Sequence, residues 1–115
     1  MEELEVWQDG RKLTNMIYAI TKKPAFSTDF ALRDQIRRAV ISITSNIAEG
    51  LERSSKRQFL YFLKIAKGSA NEVRSQLYIA LDQGYINQDT FQEVYEQASR
   101  TISKIGGLIY YLESN

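Results

Sequence analysis

Leu32, Ile36, Ala39, Ile43 and Ile47 recur at the three- and four-residue intervals of an α-helix, and this stripe limits the possible folds more than any other feature of the chain. Wound at 3.6 residues per turn, it forms one apolar face that must find a partner. One flank of the same helix lines up Gln35, Arg38, Ser42, Ser45, Asn46 and Glu49, where a plain amphipathic helix would carry solvated Lys and Glu. Arg38 and Glu49 stand about 16 Å apart along the axis and cannot pair with each other. If the next helix folds back antiparallel over a turn near Glu52 and Arg53, Arg38 faces the region of Lys67 to Glu72. Glu49 then faces Arg53 to Lys56. The expected pairs are Arg38 with Glu72, and Glu49 with Arg53 or Lys56. Gln35, Arg38, Ser42, Asn46, Glu49 and Glu72 are read as a buried polar network that fixes helix register, in preference to a ligand site, because buried charges are usually paired for packing.

The other segments show the same period. Val6, Leu13, Ile17 and Ile20, with Trp7 and Met16 beside them, predict a helix over about 3–21, which Pro24 forbids from continuing. Ser27, Thr28 and Asp29 are N-cap candidates for a second helix over about 29–51, with Gly50 free to take the left-handed conformation that ends helices. Ser54 or Ser55 caps a third helix over about 55–83, Ser55 and Gln58 having capping-box spacing, and Gly84 stops it. Its core face is Phe59, Phe62, Leu63, Ala66, Ala70, Val73, Leu77, Ala80 and Leu81. Gly68 and Ser69 in mid-helix suggest a close crossing. Asn87 or Asp89 opens a fourth helix over about 88–113. There Phe91, Tyr95, Ala98, Ile102, Ile105, Ile109 and Leu112 form a coiled-coil-type seam, with Val94 and Leu108 outside it. Short connections favour antiparallel neighbours, so the expected fold is all-α, one domain over 1–115, an antiparallel up-down-up-down four-helix bundle.

A chain of 115 residues can bury a core without staples. It has no Cys and no His, which excludes disulfides, thiolate nucleophiles, the usual zinc sites, imidazole bases and a di-iron centre built on Glu-x-x-His pairs. Glu49, Glu72, Tyr61 and Tyr78 could exchange protons, but no nucleophile, base and orienting group form a set, so no enzyme, cofactor or small-molecule substrate is expected. A net charge of +1 offers no global attraction to nucleic acid or membrane, and only a local patch could provide one. No apolar run reaches bilayer length, and Met1-Glu-Glu-Leu-Glu is acidic where a signal peptide is basic, so a cytoplasmic location is expected.

Two features go beyond a lone bundle. Tyr61, Ile65 and Ile79 on the third helix, and Ile41 on the second, lie away from the core faces, and the Tyr110-Tyr111 pair adds to them. Their alignment suggests a patch of the size that marks contact between subunits, against the plainer reading of a slightly wider bundle. Around the third helix, Arg53, Lys56, Arg57, Lys64, Lys67 and Arg74 share an arc with Leu60, Asn71 and Tyr78. Such a stripe would contact phosphates without reading sequence. The plainer reading is a solvated charged face, with Arg53 and Lys56 consumed by Glu49.

The run Gln35-Ile-Arg-Arg-Ala, then Ser42-Ile, Asn46-Ile-Ala-Glu-Gly50, Glu52-Arg53, Phe59, Phe62-Leu63 and Ala66-Lys-Gly-Ser69 resembles the small helical proteins encoded in intervening sequences of bacterial 23S ribosomal RNA genes. The likeness covers nearly the whole chain. It departs from the family's pattern before the second helix, where many members carry a Phe-Pro pair and a Glu but this chain reads Pro24-Ala-Phe-Ser-Thr-Asp29-Phe30. The resemblance implies a four-helix bundle assembled as a homo-oligomer, commonly a pentameric ring, with an RNA-related role. A related branch, the accessory proteins of diversity-generating retroelements, looks like the same bundle used beside a reverse transcriptase. The combined expectation is a non-enzymatic oligomer that engages structured RNA or a ribonucleoprotein through basic faces, with a protein scaffold as the alternative.

Overall fold

The computed structural model describes residues 2–115, with side chains from Leu4 onward, so Met1, Glu2 and Glu3 of the acidic start lie outside the described side chains. The described chain is all α-helical, in the order α1 (Glu2–Thr21), α2 (Pro24–Ser27), α3 (Phe30–Leu51), α4 (Lys56–Asp82) and α5 (Gln88–Glu113). Each long helix after the first begins on a side-chain cap. Asp29 accepts from the Leu32 N–H, Ser55 from Gln58 and Asn87 from Thr90, which satisfies amide groups that have no carbonyl partner at a helix start. Pro24 ends one helix and starts another. Its ring suits the first turn of the short α2, and this turn drops Phe26 fully into the core.

The long helices meet antiparallel. Ser69 of α4 donates to Ser42 of α3, and Gln76 to Gln35, while Arg74 of α4 reaches Ser99 of α5 and Lys64 reaches Glu113. Asp9 of α1 meets Gln97 of α5, and Thr21 of α1 meets Arg37 of α3. Each long helix therefore touches two others in the cycle α1, α3, α4, α5, and the α1/α3 face lies opposite the α4/α5 face. At about 40 Å, α4 spans most of the 46 Å long axis.

The α3 stripe Leu32, Ile36, Ala39, Ile43 and Ile47 is buried, with Val40 beside it. On α5 the buried face is rotated from the expected seam. Val94 and Leu108 are inside, together with Gln97 and Thr101, while Tyr95, Ile102 and Leu112 are only partly covered. The glycines also divide differently. Gly50 is helical, and Gly84 is the glycine with positive φ, at 76°. A Cβ on Gly50 would lie 2.8 Å from Phe59 Cδ1, so this glycine permits the close α3–α4 turn. Gly68 is exposed with nothing within 4 Å, so no crossing inside the chain accounts for it.

Candidate nucleic-acid interface

The six cations of the basic stripe arrive in three settings. Arg53 sits in the α3–α4 turn, paired with Glu49 and lying over the Phe62 ring at 5.1 Å. Lys56 and Arg57 are exposed in the first turn of α4. Lys64, Lys67 and Arg74 line the boundary with α5. Lys64 Nζ is 3.0 Å from Glu113 Oε2, and both side chains are about half exposed, at 57% and 50%, so the pair is worth at most about 1 kcal/mol. Lys67 is half-buried and lies across Gly106, where a Cβ would sit 3.8 Å from its Nζ. Arg74 donates to Asn71 Oδ1 at 3.1 Å and to Ser99 Oγ at 3.3 Å, with its guanidinium 5.5 Å from the centre of the Tyr95 ring. Tyr78 is exposed next to this group and packs on Phe91 and Tyr95 at centroid distances of 4.9 and 5.5 Å. Three cations, an open aromatic ring and small residues of α5 thus share one surface, while Arg53 belongs elsewhere.

The expected polar network is not buried within the chain. Gln35, Arg38, Glu49 and Glu72 are exposed, and Ser42 and Asn46 are half-buried. Arg38 and Glu72 make no ion pair; Asp34, one turn before Arg38, is the acid that feels its charge. What forms is a small cluster, in which Asn46 donates to Ser42 Oγ at 2.9 Å and Ser69 donates to the same oxygen at 2.9 Å. Beside it, Gln76 of α4 donates to Gln35 at 3.4 Å, and its own carbonyl oxygen is buried without a partner. Gln35, Glu72, Ser75, Gln76 and Ile79 line a surface groove of about 480 Å³. Ile41, Tyr61 and Ile79 are exposed and Ile65 is half-buried, so the oligomer candidates lie on or beside this α3/α4 face.

The sequence profile described as "23S rRNA-intervening sequence protein" matches residues 2–107. The chain belongs to that family. A crystal structure of a protein of unknown function from the S23 ribosomal protein family of Bacteroides thetaiotaomicron is similar in fold. Its TM-score is 0.88 at 22% identity, over 96% of this chain and 99% of that one. None of the curated proteins matches the chain.

A second set of largely buried polar contacts in this family member, between α1 and α5, is one the helical spacing did not reveal. Asp9 of α1, with its side chain 12% exposed, holds Lys104 Nζ at 2.8 Å and Arg100 Nε at 3.6 Å. The buried Gln97 donates to Asp9 Oδ1 and to its backbone carbonyl, both at 3.2 Å, and Thr101 donates to the Gln97 carbonyl. Burial pulls the Asp9 carboxyl up, but hydrogen bonds from Lys104 and Gln97 and the charges of Lys104 and Arg100 outweigh it, leaving it below its ordinary 3.8. The available signal was Gln97 and Thr101, polar residues one turn apart between Val94 and Ile105. Among the described residues, no helix is long and apolar enough to cross a membrane, and no group of three acidic side chains is placed to hold a metal.

Proposed function

We propose that this 23S rRNA-intervening sequence protein is a non-enzymatic, cytoplasmic antiparallel four-helix bundle. It assembles with its own copies into a ring and binds structured RNA or a ribonucleoprotein through its basic faces. The observation that carries the reading is the row Lys64, Lys67 and Arg74 beside the open ring of Tyr78. Repeated around a ring, the row multiplies a positive surface that one nearly neutral chain lacks. Contacts to phosphates give affinity without base reading, and an exposed ring adds stacking. In a gel-shift titration with total RNA, binding weakens steeply with salt. The triple variant K64E/K67E/R74E abolishes it while its circular dichroism and unfolding curve stay close to the parent. Unchanged binding by the folded triple variant refutes the role of this row.

The second reading is a protein scaffold without RNA, and the α3/α4 face favours it. Ile41, Tyr61 and Ile79 are exposed there, Arg38 and Glu72 make no ion pair with each other, and the Gln76 side-chain Oε1 is buried without a hydrogen bond. In either reading this face joins subunits, the pentamer being what the family likeness implies. Multi-angle light scattering is expected to give an oligomer that Ile79→Asp breaks. A parent that is monomeric at micromolar concentration removes the assembly.

A further inference from the structure

The positive charge of this chain is not confined to the α4 stripe. From Gly10 to Ala48 there are seven Lys and Arg against two Asp, although the whole chain carries only +1. Four of the seven gather where α1 stops and α3 begins. Arg37 Nε donates to Thr21 Oγ1 at 2.8 Å, and Thr21 is fully buried. The Arg37 guanidinium lies over the Tyr18 ring at 4.5 Å. One turn earlier on the same helix, Arg33 Nη1 donates to the Ser27 carbonyl at 3.1 Å, Nε pairs with Asp34 at 2.9 Å, and the group lies over Phe30 at 4.9 Å. Lys22 and Lys23 are exposed in the link between Thr21 and α2. Among the described residues, none of Lys22, Lys23 or Arg37 is in an ion pair, and Asp34 is the acid paired with this group.

Arg37 is fixed from the inside by the buried Thr21, while Arg33 is held at the surface by Asp34, the Ser27 carbonyl and Phe30. A guanidinium stacked on a ring and held at Nε cannot swing away, so Arg37 keeps its two Nη groups as a fork for the oxygens of one phosphate. Asp34 feels the charge of Arg37 but is paired with Arg33, so an anion at the Arg37 fork meets a local excess of positive charge. Phe30, 64% exposed, carries Arg33 on one side and is otherwise open to solvent. Phosphates spaced along a chain, with flat bases between them, match this alternation of cations and an open ring.

We propose that Lys22, Lys23, Arg33 and Arg37 form a second RNA-backbone site, with Phe30 stacking an unpaired base, on the face opposite the Lys64–Arg74 row. The site stands on its own residues and does not require the α4 row to bind.

The test uses the full chain, a labelled single-stranded RNA of mixed sequence, fluorescence anisotropy and a salt series. The variant K22E/K23E touches two side chains with no hydrogen bond or ion pair in the fold. At about 0.1 M salt each single-strand phosphate contact is worth roughly fivefold, so losing two lowers affinity about 25-fold and flattens the salt slope by about 1.4. Phe30→Ala lowers RNA affinity at least about fivefold, the low end for one stacked base, and leaves binding to inorganic polyphosphate unchanged. A K22E/K23E protein that binds RNA within about twofold of the parent, with the same slope, overturns the site. Loss of binding to phosphatidylserine vesicles with RNA binding intact also overturns it, because the face would then serve a membrane. K64E/K67E/R74E measured in parallel separates the two surfaces: each variant reports on its own row, and a parent that binds no RNA refutes both.

Discussion

Asp9→Ala tests the tie between the first and last helices. The substitution removes a carboxylate that accepts from Lys104 at 2.8 Å and from Gln97 at 3.2 Å. The two cations lose less than a buried pair would, because Lys104 is 34% and Arg100 65% exposed and both regain water. Gln97 keeps the Asp9 carbonyl as an acceptor. The net loss is therefore about one charge-assisted hydrogen bond, roughly 2 kcal/mol. In urea this moves the unfolding midpoint down by about 1–2 M, and Asp9→Asn, which keeps an acceptor for Gln97, moves it about half as far. Protein concentration is held equal, since assembly would shift the midpoint by mass action. The pH dependence has a definite sign. A carboxyl whose folded value is depressed contributes stability above its unfolded value of 3.8, and the contribution is lost as pH falls through the lower folded value. The gap between parent and Asp9→Asn is constant from about pH 5 to 8 and closes in the acid range below. A midpoint shift under about 0.3 M, or a gap undiminished at about pH 2, refutes the assignment.

Two glycines give opposite outcomes for the same change. Gly50→Ala places a Cβ 2.8 Å from Phe59 and 3.2 Å from Phe62 Cβ, so overpacking outweighs the helix preference for Ala and costs about 1–2 kcal/mol in urea unfolding. Gly68→Ala meets nothing within 4 Å and stabilises by about 0.5–1 kcal/mol. Tyr85→Phe removes a hydrogen bond of 2.9 Å to Asp29 but keeps the ring on Phe26, and thermal unfolding near neutral pH shows a lowered midpoint. That bond to Asp29, with burial and the Asp29 charge, raises the Tyr85 pKa above 10.0. Its contribution is present below that value and lost as pH rises through the folded one.

Periodicity located the helical faces because burial of Leu32, Ile36, Ile43 and Ile47 repeats with the helix turn and needs no knowledge of the neighbour. The starts near Asp29, Ser55 and Asn87 were legible to within a residue or two for a similar reason, since a cap acts within three residues, and the structure chooses them over Ser27 and Thr28, Ser54, and Asp89. The flank of α3 misled because a helical projection gives angles around one axis, not which flank the next helix covers. Gln35, Arg38, Glu49 and Glu72 face outward, while Gln76 and Gln97, which look like surface residues in a linear reading, are inside. On the basic stripe, the Glu49–Arg53 pair was within reach, being one turn apart. The Lys64–Glu113 pair spans 49 positions and depends on the α4–α5 register. Gly50 and Gly68 are the same residue in the same kind of helix, and only the tertiary neighbours assign them different roles.

The contacts of Asp9 with Gln97 and Thr101 join residues 88 and 92 positions apart, against 27 for the Ser42–Ser69 contact between α3 and α4. Because closing a longer loop costs more chain entropy, the α3–α4 hairpin is expected to form before the first helix docks onto the last one. A tie made after the folding barrier leaves the refolding rate almost untouched and governs how fast the molecule comes apart. On that order Asp9 would act on the lifetime of the folded molecule more than on its formation, and stopped-flow traces of Asp9→Ala are expected to differ from the parent on the unfolding limb alone.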